Sequence, residues 1–492
     1  CSFTPDNQYW AFQKQARRVA ARLNLLALAF PISFVAASGP NEPTLVHPVL
    51  RDNTFATPPV LANISRAPHT VEVNLTAAVT KVTMQPGVVS EAFAYNGHVP
   101  GPTLDVNEGD RVIVHFKNEL PEATTVHWHG IHLPFESDGS PFHPIKPGES
   151  HDYVFTVRKG TAGTYWYHPH PDRRTGFAIG KGLYGGIIVR AADDPIPASI
   201  QDRLIILSDN RFLQDGSIDF PDPMSHHGAV DEENGREGPT LFVNGQVMPT
   251  LTIRPGEVQR WRVINASAGR IFKIALRDQK MVQVGTDGGL FEKPLELKDL
   301  VLATGERVEL LVKAGAASSK TVLQDLPYDR YSPHTRPVDW DMTRDLLTLE
   351  TTNDAPVPPV AIPATLRHIE RLDTTKVTAV RTVVFGQGMI NGKLMDMARV
   401  DVSTKVGATE IWEITNIVGM DHPFHMHGFQ FQVLERDGKP EPYVAWKDML
   451  NIPKHTTARI IVRYDDYPGK WMFHCHILDH EDHGMMGVLE VK

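Results

Sequence analysis

YNGHVPGPTLDVNEGDRVIVHFKNEL, residues 95–120, settles the fold because it recurs. A second version, VNGQVMPTLTIRPGEVQRWRVINAS, spans residues 243–267, and a third, INGKLMDMARVDVSTKVGATEIWEITN, spans 390–416. Each reads as an Asn-Gly turn, a strand, a Gly turn and an alternating strand, so one supersecondary unit is written three times along the chain. Val, Ile and Thr alternate within the copies, Gly and Pro mark the turns, and no long helical period intervenes. The expectation is an all-β protein of three consecutive Greek-key sandwiches, over residues 69–192, 196–352 and 375–492, preceded by a segment 1–68.

Outward from the repeats stand four histidine clusters: HWHG (His127, His129), YHPH (His168, His170), HPFHMHG (His422, His425, His427) and HCHILDHEDHGMM, residues 474–486. With 23 histidines in 492 positions, chance would give roughly one pair separated by a single residue, and the chain has four. In an extended strand residues two apart share a face, so each pair presents two imidazoles side by side while the residue between looks away. In HCH, Cys475 is therefore expected to face one metal while His474 and His476 face another. A thiolate with two imidazoles and a weak thioether makes a blue-copper site. Cys475, His480 and Met485 supply three of those ligands, and the fourth must come from elsewhere.

The clusters keep register with the repeat. His127 lies 31 residues after Asn96 (127 − 96), and His422 lies 31 after Asn391 (422 − 391). The same count from Asn244 reaches Ala275, within FKIAL, so the middle copy is expected to be a spacer without copper. YHPH aligns with FHCH and puts Pro169 where Cys475 stands, so the first copy cannot build a thiolate site.

These motifs together resemble the multicopper oxidases, the family of laccases, cuprous oxidases and bilirubin oxidases, whose four copper motifs are all present. The resemblance implies cupredoxin domains with a copper cluster between the first and third. It implies four coppers per chain. His422, Cys475 and His480 would bind a type 1 copper, with Met485 axial. His127 and His425 would bind a type 2 copper, and His129, His168, His170, His427, His474 and His476 a type 3 pair. It further implies that electrons from a reducing substrate pass through Cys475 to His474 and His476, and that dioxygen is reduced to water at the cluster. Asp138, in ESDGSP, and Glu481, directly after His480, stand where the resemblance places proton-donating acids; Asp482 is expected at the surface. An axial methionine lowers the expected potential and favours easily oxidised phenols, aromatic amines or Cu(I). Cuprous oxidases of the family usually carry a methionine-rich insertion before the third domain's ligands, whereas residues 351–382 contain no Met. Met389, Met395, Met397 and Met420 are expected to fill the core.

The competing readings are blander. Any one HxH pair can be a strand end with two ordinary histidines, and zinc would use about four ligands, leaving most of this set unexplained. His132, His143, His151, His226, His227 and His483 are expected to be surface or core residues. A metal oxidase acting on Cu(I) or Fe(II) is the nearest alternative function. A copper nitrite reductase would have two such domains and lack the YHPH pair; a non-enzymatic cupredoxin scaffold would have lost its ligands.

A net charge of -9 with dispersed Lys and Arg excludes a concentrated nucleic-acid-binding face. The chain is long enough for three ordinary cores without disulfides. Cys1 and Cys475 are the two cysteines; with Cys475 a ligand no internal disulfide remains, which favours a prokaryotic source over a cross-linked fungal one. No apolar run reaches the length of a spanning helix. LNLLALAFPISFVAA, residues 23–37, follows Arg17, Arg18 and Arg22 and ends in small residues, so the region 15–38 reads as an export signal to the periplasm or cell exterior. A plain N-terminal helix and a lipid-anchored Cys1 are the other readings.

Overall fold

Strand Arg111–Glu119 shows how the sequence makes its elements: Val112, Val114, Phe116 and Asn118 alternate inward and the residues between them look out. The computed structural model describes residues 53–492 apart from 333–334 and 338. The signal-like region 15–38 and Cys1 lie outside the described residues.

The three copies share their turn chemistry. Asn96, Asn244 and Asn391 take φ of 50°, 53° and 51°, and the glycines after them take 79°, 75° and 69°. Two successive positive φ values make the tight turn that matches strand twist, and Asn followed by Gly adopts it at least cost. Each of these asparagines accepts, through Oδ1, the N–H of a strand residue, Thr76, Ile206 or Val384, at 2.7 Å in all three copies. A second asparagine ends each repeat buried: Asn118, Asn265 and Asn416 donate to the carbonyls of Ile145, Leu302 and Ile452 at 2.8, 3.0 and 3.0 Å. A buried amide satisfied in the same way three times pins the loops that lead into the second sheets.

Six sheets form three sandwiches. Each sheet holds one parallel pair, which in one sheet of each sandwich is Thr70–Gln85 with Arg111–Glu119, Gln201–Asn210 with Val258–Asn265, or Ala379–Gly386 with Thr409–Asn416. The partner sheets carry His127–His129 beside Gly163–His168, Phe272–Leu276 beside Lys320–Asp325, and His422–Met426 beside Gly469–Cys475. Each sandwich closes on its own core, around Trp128, Trp261 and Trp412 respectively. The middle sandwich is also covered outside: strand Arg307–Lys313 turns Val308, Leu310 and Val312 into its core, yet Arg307, Glu309 and Leu311 on the other face are buried too.

Among the described residues helices are few and short. Thr175–Gly180, His226–Asn234 and Leu478–Asp482 lie among the loops, and no described helix is long and apolar enough to cross a membrane. Of the four methionines expected in the core, Met420 is buried, Met389 and Met395 are half-buried, and Met397 is exposed. The loop after the Asn391 turn runs along the surface before strand Val402–Thr404, which is why the expectation fails there.

Candidate metal centre

Strand periodicity does what the motifs ask of it. Trp128 and Met426, between the histidines of their pairs, pack into the first and third cores, while His127, His129, His425 and His427 turn to the boundary between those sandwiches. There they meet strand ends from the other sequence extreme. His129, His168 and His476 form one group, and His170, His427 and His474 a second. His127 and His425 meet beside His129. Cys475 points the other way and groups with His422 and His480, with its Sγ 3.7 Å from His480 Nδ1. Met485 is fully buried; its N–H donates to His480 O at 2.9 Å and its carbonyl accepts from Cys475 N at 3.1 Å. Ile477 N–H donates to the sulfur at 3.4 Å.

The donor set fits a metal on grounds of hydrogen bonding. His127 Nδ1 donates to Asp138 O at 2.7 Å and His425 Nδ1 to Asp448 O at 2.9 Å, which leaves each Nε2 buried and unpartnered. His427 Nδ1 donates to Asp138 Oδ2 at 2.9 Å and His474 Nδ1 to Cys475 O at 3.0 Å. Their Nε2 lone pairs then face one another at 3.1 Å, and His170 Nε2 stands 3.4 Å from the same His474 atom. Converging lone pairs repel unless a cation lies among them. Two imidazole nitrogens about 2.0–2.1 Å from a shared ion stand about 3.3 Å apart at a tetrahedral angle. Burial also keeps the rings neutral, as ligation requires: desolvation drives His170 and His480 down to about 4 and His476 to about 3. The same burial pushes the Cys475 thiol up, so the thiolate needs a metal to form.

Both anticipated acids are at the cluster. Asp138 touches His127 and His427 as described, and Glu481 Oε2 lies 3.1 Å from His474 Nδ1 with Oε1 3.5 Å from His170 Nε2. Glu481 is wholly buried, and among the described residues no well-aligned hydrogen-bond donor reaches either of its oxygens. Asp482 departs from its expected surface position. It is partly buried and accepts the N–H groups of Thr175 and Gly176 at 2.7 and 2.9 Å, because helix Leu478–Asp482 packs on helix Thr175–Gly180.

Three contacts were not legible in the motifs. Asp448 sets its carboxylate 3.1 Å from His129 Nε2, off the line of a hydrogen bond, besides accepting from His425. Thr304 of the middle sandwich donates to His476 O at 2.6 Å. His480 Nε2 donates to Glu233 O at 2.9 Å, so helix His226–Asn234 seats on the cysteine-bearing group. His226, His227 and His483 are exposed and outside every cluster; His132 instead bridges Gly428 O and Asp466.

Comparison with known proteins agrees with this geometry. The family described as Multicopper oxidase matches residues 76–194, 205–321 and 363–492. The "Multicopper oxidase mco" of Staphylococcus aureus is 34% identical over 426 residues, 84% of this chain and 86% of that protein. Among solved structures, "Multicopper oxidase from Campylobacter jejuni: a metallo-oxidase" superposes with a TM-score of 0.82 at 31% identity, over 90% of this chain and 96% of that one. A laccase from Pediococcus acidilactici superposes with a TM-score of 0.79 at 29% identity, over 90% of this chain and 94% of that one. The chain is an oxidoreductase and belongs to the multicopper oxidases.

Proposed function

We propose that the chain is a laccase-like oxidase that couples four one-electron oxidations of phenols or aromatic amines to reduction of dioxygen to two waters. The observation that carries this reading is the convergence of ten histidines and Cys475 into two adjoining sites from both ends of the sequence. His422, Cys475, His480 and Met485 would hold the type 1 copper. His127 and His425 would hold the type 2 copper, and His129, His168, His476, His170, His427 and His474 the type 3 pair, four coppers in all. Copper bound there would accept electrons singly and deliver them to dioxygen.

The chain's own contribution is positional and protonic. Cys475 is bonded through the backbone to His474 and His476, which face the other site, so the two sites share a continuous covalent link. Asp138 and Glu481 would hold and hand over protons beside the ligands, a reading supported by the burial of both within contact of imidazoles. We propose sandwich boundaries at 69–192, 196–352 and 375–492, with no copper ligand in the second, and export to the periplasm or cell exterior on the order of charges and apolar residues in 15–38.

A second reading has one specific support: a structural neighbour at 31% identity is described as a metallo-oxidase. Against it stands the lack of methionine in 351–382. Oxygen uptake by the copper-loaded protein, compared across a phenol, an aromatic amine, Fe(II) and Cu(I), decides between them. Fastest uptake with the organic donors is expected. Uptake with the metal ions alone would establish the second reading, and no uptake with any donor would leave a copper-binding scaffold.

A further inference from the structure

We infer that Arg307, on a strand of the middle sandwich, is a positioning residue for the histidine cluster, acting through Asp448 on His425 and His129. This deepens the functional reading above and rests on it. Arg307 is wholly buried and all five of its N–H groups are used. Nη1 and Nη2 grip the Asp448 carboxylate as a fork, at 2.7 and 2.5 Å. The same two nitrogens donate to Gly305 O and Asp287 O, each at 3.1 Å, and Nε donates to Thr164 O at 3.2 Å. Thr164 belongs to strand Gly163–His168 of the first sandwich, whose last residue is in the cluster. Asp448 precedes strand Met449–Ile452, which pairs with His422–Met426 in the third. One guanidinium thus sets the strand that bears His168 against the strand that bears His425.

The bland account is a structural ion pair, since buried Arg–Asp pairs join domains in many proteins and are often neutral for stability. What Asp448 does next argues for more. Its carbonyl fixes the Nδ1–H form of His425, which leaves Nε2 free and aimed into the cluster, and its carboxylate stands against His129. Asp138 serves His127 and His427 in the same double manner, by carbonyl and by carboxylate, but has no arginine on it. Asp138 lacks such a clamp, whereas the two-pronged grip of Arg307 fixes the orientation of the Asp448 carboxylate against His129. The middle copy adds two more contacts beside Arg307. Thr304 bonds His476 O, and Gly305, at φ 80°, lies where a Cβ would stand 3.1 Å from the His476 ring.

The test compares copper-loaded wild type with Arg307→Lys, Arg307→Met and the double variant Arg307→Met with Asp448→Asn. Lysine keeps the charge but not the planar fork. Outer contacts to metal ligands typically contribute roughly 10- to 100-fold in metal affinity. Copper should therefore escape to a chelator about tenfold faster or more from either single variant, with a changed type 2 electron paramagnetic resonance signal and an unchanged blue absorbance. In the double variant, thermal stability should recover while the altered type 2 signal persists. Recovery of both, or a wild-type signal in Arg307→Lys, would reduce the pair to a structural ion pair and overturn the inference. If Arg307→Met does not fold, Asp448→Asn alone carries the same test, because it removes the charge and one of the two acceptor oxygens of the fork at nearly constant volume. A wild-type protein that shows no type 2 signal at all would instead refute the functional reading on which the inference rests.

Discussion

Strand His422–Met426 and strand Phe272–Leu276 hold the same place in two copies of one sandwich. The first runs between Met449–Ile452 and Gly469–Cys475, the second between Asp299–Leu302 and Lys320–Asp325. One brings imidazoles to a buried boundary; the other, FKIAL, offers a lysine paired with Asp299 at 3.6 Å. Because both pack equally well, the sandwich does not depend on the histidines, and the chemistry is grafted onto it. The middle copy contributes in another manner. Its loops and strand edges bring Thr304, Arg307 and Arg330 against the groups that the outer copies assemble.

This contrast between ligand-bearing and supporting copies exposes itself to test most severely at Cys475. Cys475→Ser should abolish the blue absorbance and substrate oxidation while copper at the histidine cluster is retained, since serine is a poor ligand for such a site. Metal analysis with visible spectroscopy checks it, and blue colour surviving in the variant would remove Cys475 from the site. Next in size is Glu481→Gln, which keeps the shape but cannot pass a proton. Turnover should fall roughly 10²- to 10³-fold, with the loss in reoxidation by dioxygen and not in reduction by the substrate. Stopped-flow measurement of the two half-reactions separates these, and unaltered reoxidation would leave Asp138 as the proton donor.

A third prediction concerns support from the middle copy. Glu237 is largely but not fully buried; desolvation alone would raise its pKa, but Arg270 and Arg330 prevail and hold it at about 2. It contacts Arg270 at 3.2 Å and Tyr331 at 2.9 Å, and bonds Arg330 as well. Arg330 in turn donates to Asn234 O at 2.7 Å and accepts from Asp421 N at 2.9 Å, directly beside His422. Glu237→Gln should cost about 3 kcal/mol, the order found when one partner of a buried pair is removed. Because the folded pKa is depressed, the stabilisation is complete above the ordinary carboxyl value and is lost as pH falls toward 2. Acid unfolding should therefore be steeper in wild type than in the variant, and parallel acid limbs would count against the pair. The smallest effect is expected from His226→Ala with His227→Ala. Copper content should not change and stability should stay within about 0.5 kcal/mol, as for exposed sites generally; loss of one copper per chain would make the middle copy a ligand donor.

The fold class and the shared side of each HxH pair were legible because they rest on short-range rules; which pairs meet in space was implied only by the family resemblance. A period of two puts both imidazoles of an HxH pair on one side, and Asn-Gly turns announce the repeat. Contacts that depend on where another copy packs were not. Asp448 sits 23 residues beyond His425 in no motif, and its role depends on Arg307, 141 residues away. Asp482 reads as a surface acid beside Glu481 until helix Thr175–Gly180 turns its first N–H groups toward it. Burial of charged residues on the outer face of strand Arg307–Lys313 is likewise invisible to periodicity, which cannot tell a solvent face from a neighbouring sandwich.

The pairing of His170 with His474, 304 positions apart yet 3.4 Å from nitrogen to nitrogen, also bears on biosynthesis. A ribosome-bound chain that has finished its first two sandwiches owns four of the cluster's histidines and nothing to set against them. The partner strands emerge last, so a half-made product holds only part of the histidine cluster. The cluster is complete only when translation has run through HCH and strands of the first and third sandwiches have met.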